Sequence, residues 1–169
     1  MNNTRIIDFR PEHQPYFEKF NRAWIEKYFT MEQRDVWVLT QPYEMIIING
    51  GAVLMAEYDG NIAGAVALLK TEEGIFEFTK MAVDENFRRR GIAEELTYAS
   101  FRKAKDLGAK KLILYSNSIL KPAIALYEKL GFKHVPLGNS GYKRSDVKMS
   151  IDIETAIQVS DRHYQLIQI

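Results

Sequence analysis

The sequence predicts an α/β fold of the α+β type, a mixed and mostly antiparallel central sheet flanked by helices. Three observations carry that expectation. Strand-like runs from Ala52 to Val83 are separated by hairpin punctuation, first Asp59-Gly60 and then TEEG (Thr71 to Gly74), which predicts an antiparallel meander. Two runs with helical spacing and helix start and stop signals, Ile92 to Leu107 and Lys121 to Phe132, enclose the buried-strand run KLILYS (Lys111 to Ser116). Two further strand-like runs, FKHVPL and DVKMSIDI, follow and read as a closing pair.

Taken in order, RIIDF (Arg5 to Phe9) is a short first strand closed by Pro11. From Pro11 to Tyr28, the positions Tyr16, Phe17, Phe20, Trp24 and Tyr28 recur at helical spacing and predict a core-facing stripe. Phe29 to Asn49 is broken by Pro42 and the polar run TMEQRD into short helical pieces and loops, and Asn49 to Gly51 is a turn. AVLMAEY, NIAGAVALLK and IFEFTKMAV are the three meander strands. In the next helix Ile92, Leu96, Ala99, Ala104 and Leu107 form the apolar stripe. Glu94 and Glu95 near its start and Arg102, Lys103 and Lys105 near its end suit the helix dipole, and Gly108 supplies a left-handed stop. KPAIALYEKLGF is a shorter helix, with Pro122 in its first turn and Gly131 at its end. After Glu154 the tail, with Ile157, Tyr164 and Ile167, fits either an added helix or a contact with a second subunit.

The bulk properties bound the function. At 169 residues and 46% hydrophobic, the chain is the size of one ordinary domain, 1–169, with a substantial core. A formal charge of +1 gives the whole molecule no strong attraction to nucleic acid or an acidic membrane. The absence of cysteine excludes disulfides, thiol nucleophiles and cysteine metal sites. His13, His134 and His163 are far apart in sequence, so no metal is expected. The opening MNNTRIIDFRPEH lacks the long apolar region of a signal peptide, and no apolar run reaches the roughly 18 residues of a membrane span. The expectation is a soluble, cytoplasmic protein.

The most informative stretch joins a strand to a helix: Arg88-Arg89-Arg90-Gly91-Ile92-Ala93. Helix N-termini leave N–H groups unpaired and carry partial positive charge. Gly91 and the small Ala93 let a phosphate approach the backbone, while the arginines add charge. Taken alone, a solvated arginine cluster is the commoner explanation of the triplet. Other phosphate motifs are missing: there is no G-x-x-x-x-G-K-[ST] and no G-x-G-x-x-G.

With this loop, a tyrosine-bearing helix and the predicted strand order, the chain resembles the GNAT family, the Gcn5-related N-acetyltransferases. The family's phosphate loop, Q/R-x-x-G-x-G/A, is matched by Arg88 to Ala93, and ALYEKLGF (Ala125 to Phe132) resembles its later helix and strand. The resemblance runs from Ala52 to Ile153. It implies a 52–153 acetyl-CoA-binding core, a variable substrate-side region over 1–51 and a C-terminal tail over 154–169. It also implies acetyl transfer from acetyl-CoA to a primary amine, in a cleft opened where the strand ending at Val83 splays from KLILYS. Backbone groups of Met81 and Val83 would bond the pantetheine arm. N–H groups from Arg89 to Ala93 would hold the pyrophosphate, with Arg90 near the 3′-phosphate. Many members carry Asn seven residues before the helix tyrosine, where this chain has Leu120; Asn117 is the substitute expected to meet the pantetheine.

By the same resemblance Tyr127 is the general acid and Glu77 the general base. A phenol with a pKa near 10 stays protonated at neutral pH, and a buried carboxylate can take the amine's proton. Without the family, Tyr127 is a core residue on the Ile124/Tyr127/Leu130 stripe and Glu77 a solvent-facing strand residue. Strand alternation places Glu77, Thr79, Met81 and Val83 on one face. Trp24, Tyr28, Phe29 and Trp37 either line the acceptor pocket or pack, and packing is the expectation. The alternative function is a non-catalytic acyl-CoA sensor. A nucleic-acid binder is disfavoured by the near-zero net charge. The acceptor, an amine-bearing small molecule or protein, is not legible, and the resemblance leaves a homodimer open.

Overall fold

A computed structural model describes residues 3–167. β1 (Thr4–Asp8), β2 (Ala52–Tyr58), β3 (Asn61–Glu72) and β4 (Ile75–Val83) are successive antiparallel neighbours. β4 then runs parallel to β5 (Lys111–Ser116), and β7 (Val147–Asp152) pairs antiparallel with both β5 and β6 (Lys133–Val135). One seven-stranded sheet results, in the order β1-β2-β3-β4-β5-β7-β6. The β2–β3 hairpin turns on Asp59 (φ 49°) and Gly60 (φ 82°), both left-handed, as a two-residue hairpin matching the sheet's twist requires.

Helices cover both faces. α1 (Gln14–Tyr28), α2 (Gln33–Thr40) and a π-helical turn (Tyr43–Ile47) lie on one, around a core of Phe17, Ile25, Leu39, Ile46 and Met55. α3 (Ile92–Asp106) packs on the other, where Leu68, Phe76, Leu96, Phe101, Leu112 and Phe132 are buried. α4 (Lys121–Lys129) adds Tyr127 to this second core. The tail forms α5 (Ile153–Leu166) on α3, its His163 ring stacked 3.9 Å from Tyr98 and Arg102 lying 3.8 Å over Tyr164. The added-helix reading of the tail is the one observed; Gln168 and Ile169 lie outside the described residues. No helix among the described residues is long and apolar enough to cross a membrane.

Two expectations are corrected. The buried face of α1 is centred on Phe17, Asn21 and Ile25, whereas Tyr16 and Tyr28 are 43% and 49% exposed. The cause is a buried polar residue that an apolar-periodicity reading skips. Asn21 Nδ2 donates to the carbonyls of Phe17 and Lys80, and its Oδ1 accepts from Trp24 Nε1. This satisfaction is what permits an amide in the core.

The second correction concerns β4. Ala65 to Ala67 of β3 oppose Ala82 to Thr79 of β4, three residues against four, so β4 bulges by one residue. Lys80 within it is left-handed at φ 54°. A bulge reverses the alternation beyond it. Phe76 and Phe78 point to the α3 face before it, and Met81 and Val83 pack against that same face after it. Glu77 therefore does not share a face with Met81 and Val83.

Candidate active-site cleft

β4 and β5 pair only at Ile75, Phe76 and Glu77, opposite Lys111, Leu112 and Ile113. Beyond Glu77 the strands separate and leave a cleft of about 430 Å³. A parallel pair that diverges leaves main-chain donors and acceptors on the facing edge of β4, from Phe78 to Val83, without a neighbouring strand. Met81 and Val83 lie along this edge and line the cleft, as expected. Glu77 sits at the apex, 3% exposed. One wall is built from α1 and the residue after it, through Phe20, Trp24, Tyr28 and Phe29; the opposite wall carries Leu120, Ala123 and Tyr127. Three of the four aromatics weighed for the acceptor pocket thus line it, whereas Trp37 stands outside, 49% exposed.

At the mouth is the loop Arg88 to Gly91, leading into α3. Arg89 (φ 63°) and Gly91 (φ 74°) are left-handed, and Gly91 is the N-cap. No side chain caps this helix, so its first N–H groups, at Ile92 and Ala93, remain available to a ligand. Ile92 contributes only its backbone there, because its side chain is 2% exposed in the core. Arg88, Arg89 and Arg90 are exposed, and among the described residues none is paired with a carboxylate; Arg90 lies 4.9 Å over the Tyr58 ring. Left-handed residues on either side of Arg90, just before a helix N-terminus, make an anion cradle, and these residues fit a pyrophosphate.

Gly91 is needed for its conformation rather than its size. A Cβ built there meets nothing within 4 Å, but at φ 74° a branched side chain strains the backbone. Gly91→Val is expected to weaken CoA more than tenfold, or at least about 1.4 kcal/mol. Calorimetry with CoA on the folded variant checks this, and unchanged affinity would remove the loop from the site.

Tyr127 is half-buried, its ring held edge-on by Phe78 and Phe132, each at 5.8 Å. Among the described residues nothing hydrogen-bonds its hydroxyl. Desolvation pushes this phenol up to about 12. Burial also raises the Glu77 carboxyl above its ordinary range, against the opposing pull of Lys80, Arg34 and the Thr79 hydroxyl. Glu77 is thus buried rather than solvent-facing, and Tyr127, whose ring packs against the core, also lines the cleft. Asn117 also lines it, but its Nδ2 donates to the Arg144 carbonyl at 2.6 Å and its Oδ1 accepts from the Ile119 N–H at 2.9 Å. Its amide therefore also holds the loop that carries Arg144.

A buried ionic network went unread in the sequence. Asp35 on α2 is fully buried; it accepts from both terminal nitrogens of Arg144 at 2.7 Å and pairs with Lys80 Nζ at 3.1 Å. Lys80 Nζ also donates to the Tyr142 hydroxyl at 3.0 Å, and Arg144 reaches Glu32 at 3.3 Å. Despite the penalty of burial, the Arg144 hydrogen bonds, Lys80 and the Glu32 N–H hold the Asp35 carboxyl at about 2. The network ties α2, the bulge of β4 and the 138–146 loop together at one wall of the cleft, which Lys80, Tyr142 and Arg144 line. Its one local signal is a lysine, Lys80, inside the strand FEFTKMAV.

Comparisons with known proteins agree with this geometry. The uncharacterised N-acetyltransferase YjgM of Escherichia coli is 34% identical over 116 residues, covering 66% of this chain and 70% of the relative. A GNAT-family acetyltransferase from Staphylococcus aureus shares the fold, with a TM-score of 0.79 at 16% identity over 89% of this chain and 99% of the other. YncA of Salmonella typhimurium, solved with its cofactor acetyl-CoA, superposes with a TM-score of 0.71 at 16% identity, over 90% of this chain and 95% of its own. The acetyltransferase (GNAT) family model matches residues 8–132. With the splayed strands, the uncapped helix and the family match together, the chain belongs to the GNAT family of acetyl-CoA-dependent N-acetyltransferases.

Proposed function

We propose that the protein transfers acetyl directly from acetyl-CoA to a primary amine in the β4–β5 cleft. The observation that carries this reading is the position of Glu77, at the last pair before the strands part, with Tyr127 on the wall beside the open edge of β4. Main-chain groups of Met81 and Val83 hold the pantetheine as an added strand. N–H groups from Arg89 to Ala93 hold the pyrophosphate, with Arg88 at the cleft mouth adding charge.

Bound acetyl-CoA supplies an activated thioester, whose carbonyl carbon gains the bond to nitrogen as its bond to sulfur breaks. Glu77 accepts the proton that nitrogen loses, directly or through water, and its raised pKa makes it the stronger base. Tyr127 donates its proton to the departing sulfur and recovers one from solvent. An alkylammonium with a pKa of about 10.4 must lose a proton before it can attack, so the base matters most at neutral pH.

Thiol release from acetyl-CoA across a panel of amines tests the reaction itself. Glu77→Gln tests the base: turnover is expected to fall tenfold or more near pH 7, on the order of a lost general base, and to recover partly as rising pH supplies free amine. A pH–rate profile that overlays the wild type would hand the proton to water.

A further inference from the structure

The acceptor-side wall holds more positive than negative charge. Lys19 and Lys27 line the cleft from α1, four residues either side of Ala23, which lines it too. Among the described residues neither is paired with a carboxylate, because the neighbouring acids Glu18 and Glu26 are both taken by Arg22, at 2.8 and 3.2 Å. Behind them Tyr142 is ringed by three cations: Lys80 at 4.4 Å, Arg144 at 4.6 Å and Arg34 at 5.0 Å from its ring centre. Against these five cations stand the carboxyl groups of Glu32, Asp35 and Glu77. Besides Glu77, the acids that line the cleft are Asp84 and Glu85, which directly precede the arginine loop in the chain. A polyamine or aminoglycoside would bring additional cations into this field.

We propose that the acceptor is an amine that also carries a carboxylate, of the amino-acid class, drawn in by Lys19 and Lys27. The proposal rests on the acetyl-transfer reading above. The two lysines, eight residues apart, are about 12 Å apart along the helix, so they act as a field over the cleft rather than as joint ligands. Both lysines are exposed, and a concave site with low-dielectric walls focuses such a field. The aromatic wall of Phe20, Trp24 and Phe29 receives an apolar side chain.

The test uses matched pairs that differ only in the carboxylate: L-phenylalanine against 2-phenylethylamine, and L-leucine against 3-methylbutylamine. Calorimetric titration of the CoA-loaded protein is expected to give at least tenfold tighter binding for the amino acid of one pair. The Lys19→Gln/Lys27→Gln double variant should remove most of that preference. It should also raise KM for the amino acid more than fivefold with a smaller change in kcat, and added salt should mimic it. Equal binding within both pairs, binding of neither member of either pair, or an unchanged KM in the double variant would overturn the proposal. The two readings fail differently. Thiol release with the amines but not the amino acids ends the carboxylate inference and keeps acetyl transfer. Amino-acid binding without thiol release from any amine ends acetyl transfer and keeps the carboxylate preference.

Discussion

Tyr127→Phe is expected to reduce turnover by the roughly 10²–10⁴-fold that follows loss of a general acid, with no loss of thermal stability. Both halves come from the same geometry. The ring is fixed by edge contacts to Phe78 and Phe132, which phenylalanine keeps. The hydroxyl has no protein partner among the described residues, so its removal breaks no hydrogen bond and leaves no buried group unsatisfied. A phenol raised to about 12 retains its proton at neutral pH until a strong acceptor forms beside it. The departing thiolate is such an acceptor, and the same dry cleft raises its basicity. Turnover and melting temperature, measured on one sample, separate the roles. Preserved turnover would make Tyr127 structural and leave the sulfur to be protonated by water.

Asp35→Ala should be the most destabilising single change at the site. It leaves Lys80, with a side chain 2% exposed, and Arg144, 11% exposed, without their shared counter-ion. Breaking a buried pair from one side costs about 3–5 kcal/mol. For a domain of this size that corresponds to a fall in melting temperature of roughly 6–20 °C. Acid sensitivity follows from the same carboxyl. Its folded pKa, about 2, lies below the ordinary 3.8, so its contribution to stability is complete above about pH 4 and is lost as pH falls toward 2. Chemical denaturation at pH 7 and pH 3 should therefore show a smaller acid loss in Asp35→Ala than in the wild type. An unchanged melting temperature would mean that the network contributes nothing net.

Local patterns determined much of this protein. β2, β4 and β5 begin and end where their runs do, because alternation and turn residues act between near neighbours along the chain. The strand, basic loop and glycine-led helix from Met81 to Ala93 were legible for the same reason, since a helix N-terminus binds anions through its own backbone. The tertiary structure alone decided which faces these elements present. The bulge at Lys80 moves Met81 and Val83 to the face opposite Glu77, and it arises from register against β3, not from the composition of β4. Asn21 displaces the α1 stripe because its amide finds the Lys80 carbonyl, 59 residues away. Asp35 and Arg144 are 109 residues apart and look like ordinary surface charges in sequence. Only when α2, β4 and the 138–146 loop close on one another does water leave these charges. Burial then converts an aspartate, a lysine and an arginine from solvated residues into a fixed wall of the cleft.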